Sequence, residues 1–131
     1  MTTKAINPWK WQDQFGFSQA VEVSGAQRVV YCAGQTSVDQ DGAPVNVGDM
    51  TAQIKQALDN VERVLREGGL GLGNVVRLNY YTTDVSAFMN GMGAVVERLN
   101  RAGCAPAATL LGVASLFHPD ILVEIEATAV S

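Results

Sequence analysis

Between Asp49 and Gly68 the chain repeats apolar residues at three- and four-residue steps: Met50, Ile54, Ala57, Leu58, Val61, Val64 and Leu65. On a helix these positions share one face, so the stretch must lay an apolar stripe against another part of the chain. Asp49 is placed to cap its start, since a carboxylate there accepts from free N–H groups of the first turn. Gly68 and Gly69 are placed to end it. One amphipathic helix cannot build a core alone, so what flanks it decides the fold class.

Upstream, SQAVEVS (18–24) alternates and RVVYCAG (28–34) is rich in β-branched and aromatic residues, with SGAQ (24–27) as a turn between them. The two are expected to pair as a hairpin. DQDGAP (39–44) reads as a loop. Downstream, VVRLNYYTT (75–83) forms a third strand, and Asp84 to Ser86 offer caps for a second helix. Phe88, Met92, Val95, Val96 and Leu99 share a face of that helix. Gly91 and Gly93 weaken it and are read as positions of close packing, and Gly103 stops it. TLLGVASL (109–116), a turn at HPD (118–120) and ILVEIEATAV (121–130) complete the order β-β-α-β-α-β-β. Residues 1–15, with Pro8, Trp9 and Trp11, read as an irregular arm on a single domain spanning 1–131. The pattern predicts an α+β fold in which both helices lie on one face of a single mixed sheet. In so small a domain, the simplest cover for the other face is a second subunit.

The 131 residues carry a net charge of −4, with nine Lys and Arg spread along the chain. No basic stripe exists to neutralise phosphates, which disfavours nucleic acid as a partner. Cys32 and Cys104 sit in apolar surroundings without a C-x-x-C, and the single His118 cannot complete a metal site with them. Both thiols read as reduced and buried. No run approaches the length of a membrane span, and the first residues lack the basic start and apolar run of a signal peptide. The expectation is a soluble, cytoplasmic protein with no membrane partner.

Four stretches, in order and spacing, resemble the Rid family, also called YjgF or reactive-intermediate deaminases. They are FSQAVEV (17–23), YCAGQTSVDQDG (31–42), APAAT (105–109) and VEIEATAV (123–130), with YYTTD (80–84) between them. The resemblance implies a chorismate-mutase-like fold, a homotrimer, and small-molecule pockets between neighbouring subunits. It also implies hydrolysis of short-lived imines and enamines such as 2-aminoacrylate, with no metal and no organic cofactor.

In the family an arginine two residues after the proline grips the substrate carboxylate, a planar two-toothed contact suited to guanidinium. Here that position is Ala108, so the grip is missing. The aromatic before S-Q-A, often tyrosine in the family, is Phe17, and a polar asparagine of the second helix matches Met92. The pocket is thus expected to be more apolar, and its substrate to be something other than 2-aminoacrylate. Glu124 matches the glutamate that holds or activates the attacking water. A carboxylate in a strand built for burial has its proton affinity raised by desolvation, and a solvent-facing or interface-paired glutamate is the plainer alternative.

Gly34 matches a glycine whose backbone faces the ligand, and N–H groups near Gly34 and Thr109 are candidate substrate holders. Cys104, four residues before Ala108, is placed either to line the cleft or simply to pack. Arg28, Arg77 and Arg101 are the candidates to replace the lost arginine. Two functions fit this set: an imine or enamine hydrolase, or a non-catalytic trimer that binds a metabolite or assists a pathway enzyme.

Overall fold

The computed structural model describes all 131 residues. Six strands and two helices run in the order β1 (Thr2–Ile6), β2 (Ala20–Ser24), β3 (Val29–Thr36), α1 (Met50–Glu67), β4 (Val75–Thr82), α2 (Val85–Arg101), β5 (Ala107–Gly112) and β6 (Val123–Val130). Four of the strands make one mixed sheet in the order β3-β6-β4-β5. β6 is antiparallel to both β3 and β4, while β4 and β5 are parallel. β3 and β4 therefore run the same way, as do β4 and β5. Each of those links needs a crossover across a sheet face, and α1 and α2 supply them.

Both helices pack on the same face. The stripe of α1 buries Ile54, Ala57, Leu58, Val61 and Leu65 completely against β3, β6 and α2. Val64, assigned to the stripe by its spacing, is 39% exposed instead. It falls on the flank of a face already filled by Val61 and Leu65. Phe88, Val95 and Leu99 of α2 complete the layer, together with Leu78, Tyr80, Val123 and Ile125 of the sheet. Both expected caps form: Asp49 accepts from the Ala52 N–H and Asp84 from the Ala87 N–H, each at 3.0 Å. Gly91 is where the helices touch, since a Cβ there would stand 3.0 Å from Ile54 Cδ1 and 3.1 Å from Thr51 Oγ1. Gly93 has nothing near it, so the close-packing reading holds for one glycine of the pair.

The amino-terminal region departs from expectation. Residues 1–15 hold a strand, β1, and a 3-10 turn at Trp11–Phe15, so the arm is not irregular. β1 pairs antiparallel with β2 in a separate two-stranded ribbon. The hairpin expected between 18–24 and 28–34 does not form. β3 finds its partner in β6, about a hundred residues away, and β2 finds its own in β1. The ribbon joins the main sheet at its far edge, where the Ser18 N–H donates to the Pro106 carbonyl at 2.9 Å and Ser18 Oγ donates to the Ala105 carbonyl at 2.6 Å. The fifth strand begins at Ala107, two residues earlier than its apolar run suggested.

The long segment from Val113 to Leu122 is held by two buried side chains, Gln53 and Thr82, the latter donating its hydroxyl to the Leu122 carbonyl at 2.7 Å. Gln53 of α1, completely buried, donates to the Asp120 carbonyl at 2.8 Å and accepts from the Leu122 N–H at 2.9 Å. No helix in the structure is long and apolar enough to cross a membrane.

Candidate active site

Alternation along β6 sends Val123, Ile125, Ala127 and Ala129 toward the helices and leaves Glu124, Glu126 and Thr128 half-buried on the opposite face. The same rule along β4 puts Leu78 and Tyr80 in the core and Arg77, Asn79 and Tyr81 beside the two glutamates. No helix covers this side. It is a polar patch on an otherwise apolar sheet. Tyr81 Oη donates to Glu126 Oε1 at 2.5 Å, and Asn79 Nδ2 donates to the same oxygen at 2.9 Å. Arg77 Nη2 donates to Thr109 Oγ1 at 2.7 Å. The Glu126 bond raises the Tyr81 phenol above its ordinary range.

Glu124 differs from Glu126 in having no hydrogen-bonding side chain of the chain on its carboxyl. Its proton affinity is raised, chiefly by partial desolvation and then by the charge of Glu126 two residues on. Across the strand lies a β-bulge. Cys32 pairs with Ala127 and Gln35 with Ile125, so three steps on β3 face two on β6. Gly34 occupies the bulge, and a Cβ there would sit 2.1 Å from Glu124 Oε2 and 2.6 Å from its Cδ. Only a residue without a side chain lets that carboxyl lie where it does. Glu124 and Gly34, singled out separately by the resemblance, lie against each other.

Of the remaining candidates, Phe17, Met92 and Ala108 gather on the other side of the sheet, and Thr109 borders the same pocket while its hydroxyl turns to the helix-free face. Phe17, Met92, Ala108 and Thr109 line one pocket, together with Phe15, Tyr80, Phe88, Met89 and Leu110. Its volume is about 210 Å³ and eight of its nine lining residues are largely apolar. Trp11, 54% exposed, meets Phe17 edge-on at its rim, with ring centroids 5.8 Å apart. Ala108 pairs with Leu78 and so points with the core strands, away from Glu124. Within one chain the carboxylate and the apolar pocket are therefore on opposite faces.

Cys104 belongs to neither group. It lies under the β1–β2 ribbon in a separate cavity, with its Sγ 3.2 Å from the Val75 carbonyl, and burial pushes its thiol up to about 11. A thiol held protonated is a packing group. None of the three arginines reaches the pocket within the chain. Arg77 is tied to Thr109 on the helix-free face, Arg28 donates to the Gly68 carbonyl, and Arg101 is exposed at the end of α2. His118 Nδ1 accepts from the Asp120 N–H at 3.0 Å, the role of a turn residue. The sequence reading missed the Asn79–Tyr81–Glu126 cluster and Tyr80. Period-2 alternation along β4 was the signal that would have placed them.

Comparison with known proteins follows the same lines. The sequence model of the endoribonuclease L-PSP family matches residues 12–131. A mouse 2-iminobutanoate/2-iminopropanoate deaminase is 36% identical over 116 residues, covering 87% of this chain and 80% of that one. The crystal structure of YyfB from Yersinia pestis, a Rid protein of unknown function, superposes with a TM-score of 0.83 at 36% identity, over all of both chains. Escherichia coli TdcF, solved with bound serine, superposes at 0.71 with 26% identity, covering 97% of this chain and 91% of that one.

Proposed function

Since the chain belongs to the Rid family, the endoribonuclease L-PSP family of the matched model, we propose that it hydrolyses an imine or enamine in a cleft completed by a second copy of itself. The observation that carries the reading is the Glu124 carboxyl. It is half-buried, raised in proton affinity, free of other side-chain bonds and seated against the bare backbone of Gly34. A carboxyl that holds its proton more tightly than usual suits a group that must both take and return one.

The chemistry needs only water and a proton relay. Glu124 takes a proton from water as its oxygen bonds to the protonated C=N carbon, and the C=N π pair moves onto nitrogen. The same carboxyl then delivers the proton to nitrogen and takes the remaining hydroxyl proton as the C–N bond breaks, so ammonia leaves, a carbonyl remains, and the carboxyl returns its proton to solvent. Backbone N–H groups near Gly34 and Thr109 orient the substrate. Because Glu124 and the apolar pocket occupy opposite faces of one sheet, the site is complete only where the helix-free face of one copy meets the pocket of the next. A homotrimer with three such clefts accounts for this. The acidic charge of the chain makes RNA an unsuitable substrate.

The test is ammonia release from enzymically generated 2-aminoacrylate and from bulkier imines, with Glu124→Gln alongside. Acceleration that the substitution abolishes is expected. No acceleration, or acceleration indifferent to Glu124, rejects the hydrolase. Light scattering is expected to give three times the chain mass, and a stable monomer would leave the cleft with one wall.

The loss of the arginine at Ala108 and of a hydroxyl at Phe17 favours a second reading, a non-catalytic metabolite-binding or pathway-assisting trimer. Ligand-induced thermal stabilisation without turnover would select it.

A further inference from the structure

The apolar pocket contains one polar feature that the mechanism above does not use. Tyr80 is only 2% exposed, and its ring packs 5.3 Å from that of Phe88. No group of the chain hydrogen-bonds its hydroxyl, yet no fully buried side-chain polar atom is left without a partner. That hydroxyl must therefore border open space, and the pocket is the open space that Tyr80 lines. A buried hydroxyl without a partner forgoes a hydrogen bond, so it is poised to accept or donate one to an occupant.

The rest of the wall is defined by what it lacks. Thr109 is the only other polar lining residue, and its hydroxyl is taken by Arg77 from the opposite face. Ala108 leaves a methyl group where a cation would be needed to offset a carboxylate. Desolvating a carboxylate without a partner costs far more than apolar contact returns. The cavity, about 210 Å³, is small and suits a compact occupant such as one aromatic ring with a short substituent. Phe17, Phe88 and Met92 present rings and a thioether to such a ring.

We propose that this pocket selects substrates carrying an aromatic group with a hydrogen-bonding atom at its far tip and no carboxylate on the reacting carbon, with Tyr80 reading the tip. That the substrate is an imine or enamine rests on the hydrolase reading; the pocket's preference does not. The reaction then balances as R–CH=NH plus water giving R–CHO plus ammonia, with no oxidant or reductant.

Two matched pairs test it. By calorimetry, 4-ethylphenol is expected to bind at least about tenfold more tightly than 3-(4-hydroxyphenyl)propanoate, the cost of burying the added charge. Tyr80→Phe is expected to weaken 4-ethylphenol about fivefold, the net worth of one ordinary hydrogen bond. Met92→Trp, at the half-buried rim, is expected to abolish binding by filling the space. Equal or tighter binding of the propanoate, no binding of either probe, or indifference to both substitutions overturns the proposal.

The second pair is the imine made from tyramine by an amine oxidase and the imine made from tyrosine by an amino-acid oxidase, followed by ammonia release above the spontaneous rate. Faster turnover of the tyramine-derived imine supports the proposal, and preference for the tyrosine-derived one overturns it while leaving hydrolysis intact. Selective binding of 4-ethylphenol with turnover of neither imine supports the pocket's preference and rejects the hydrolase.

Discussion

Gly34→Ala isolates the placement of the Glu124 carboxyl from its chemistry. An added Cβ would stand 2.1 Å from Glu124 Oε2, and ordinary contact begins at 3.4 Å, so the oxygen must retreat by at least 3.4 − 2.1 = 1.3 Å. The obstacle is the Glu124 side chain from Cγ outward, with Cγ itself 2.7 Å from the added Cβ, so relief requires the side chain to rotate from its base. Gly34 is not among the glycines held at positive φ, so the backbone itself accepts alanine. Displacement of a catalytic group by about 1 Å costs on the order of 100-fold in rate. Replacing glycine by alanine at a compatible position stabilises by about 0.4–1 kcal/mol through the unfolded chain. The expected result is therefore a ~100-fold fall in kcat/KM for imine hydrolysis with a melting temperature unchanged or slightly raised. A double-substitution cycle sharpens the test: in a Glu124→Gln background, Gly34→Ala should cost nothing further. Full turnover in Gly34→Ala, or the same loss with and without the Glu124 carboxylate, would refute the reasoning.

Ala108→Arg should restore turnover of 2-aminoacrylate by roughly 10- to 150-fold, the rate equivalent of a charged hydrogen bond of about 1.5–3 kcal/mol; no gain would mean the pocket wall does not meet the reacting carbon. Glu124→Gln should match the wild type in melting temperature below about pH 4 and exceed it at pH 7. The sign follows from a folded-state proton affinity above the unfolded one: the neutral carboxyl's contribution is intact at low pH and is lost as pH rises through the raised value. A variant less stable than the wild type at pH 7 contradicts the desolvation account. Gln53→Leu should cost roughly 2–4 kcal/mol in urea unfolding, because it strips the partners from the Leu122 N–H and the Asp120 carbonyl; a loss within 0.5 kcal/mol, the range of about an ordinary surface change, would remove Gln53 as an anchor of that segment.

The helices were legible because their signals are local. An aspartate cap, a stripe with a fixed step and a glycine stop all lie within about twenty residues of one another, and both caps form as expected. The pairing of strands was not legible in the same way. Val29–Thr36 and Ala20–Ser24 are close in sequence and alternate suitably, yet the partner of the first is the last strand of the chain and that of the second is Thr2–Ile6, all five of whose residues are exposed. Periodicity records which face a residue takes and carries nothing about which strand lies beside it. The site shows the same division. The resemblance singled out Glu124, Gly34, Phe17, Met92 and Ala108, and the first two do touch. That Ala108 turns its back on Glu124 follows only from the β4–β5 and β4–β6 registers.

In the proposed trimer, the helix-free side of the sheet would tie the protein's endurance to its own abundance. Val29 and Tyr31 stand on that side of β3, and Tyr31 is 81% exposed. Any copy that docks there stabilises the folded chain by mass action, so melting becomes a function of how many chains share the solution. Dilution of such a trimer would take away durability and the second wall of the cleft together, so scarcity alone would silence the proposed activity.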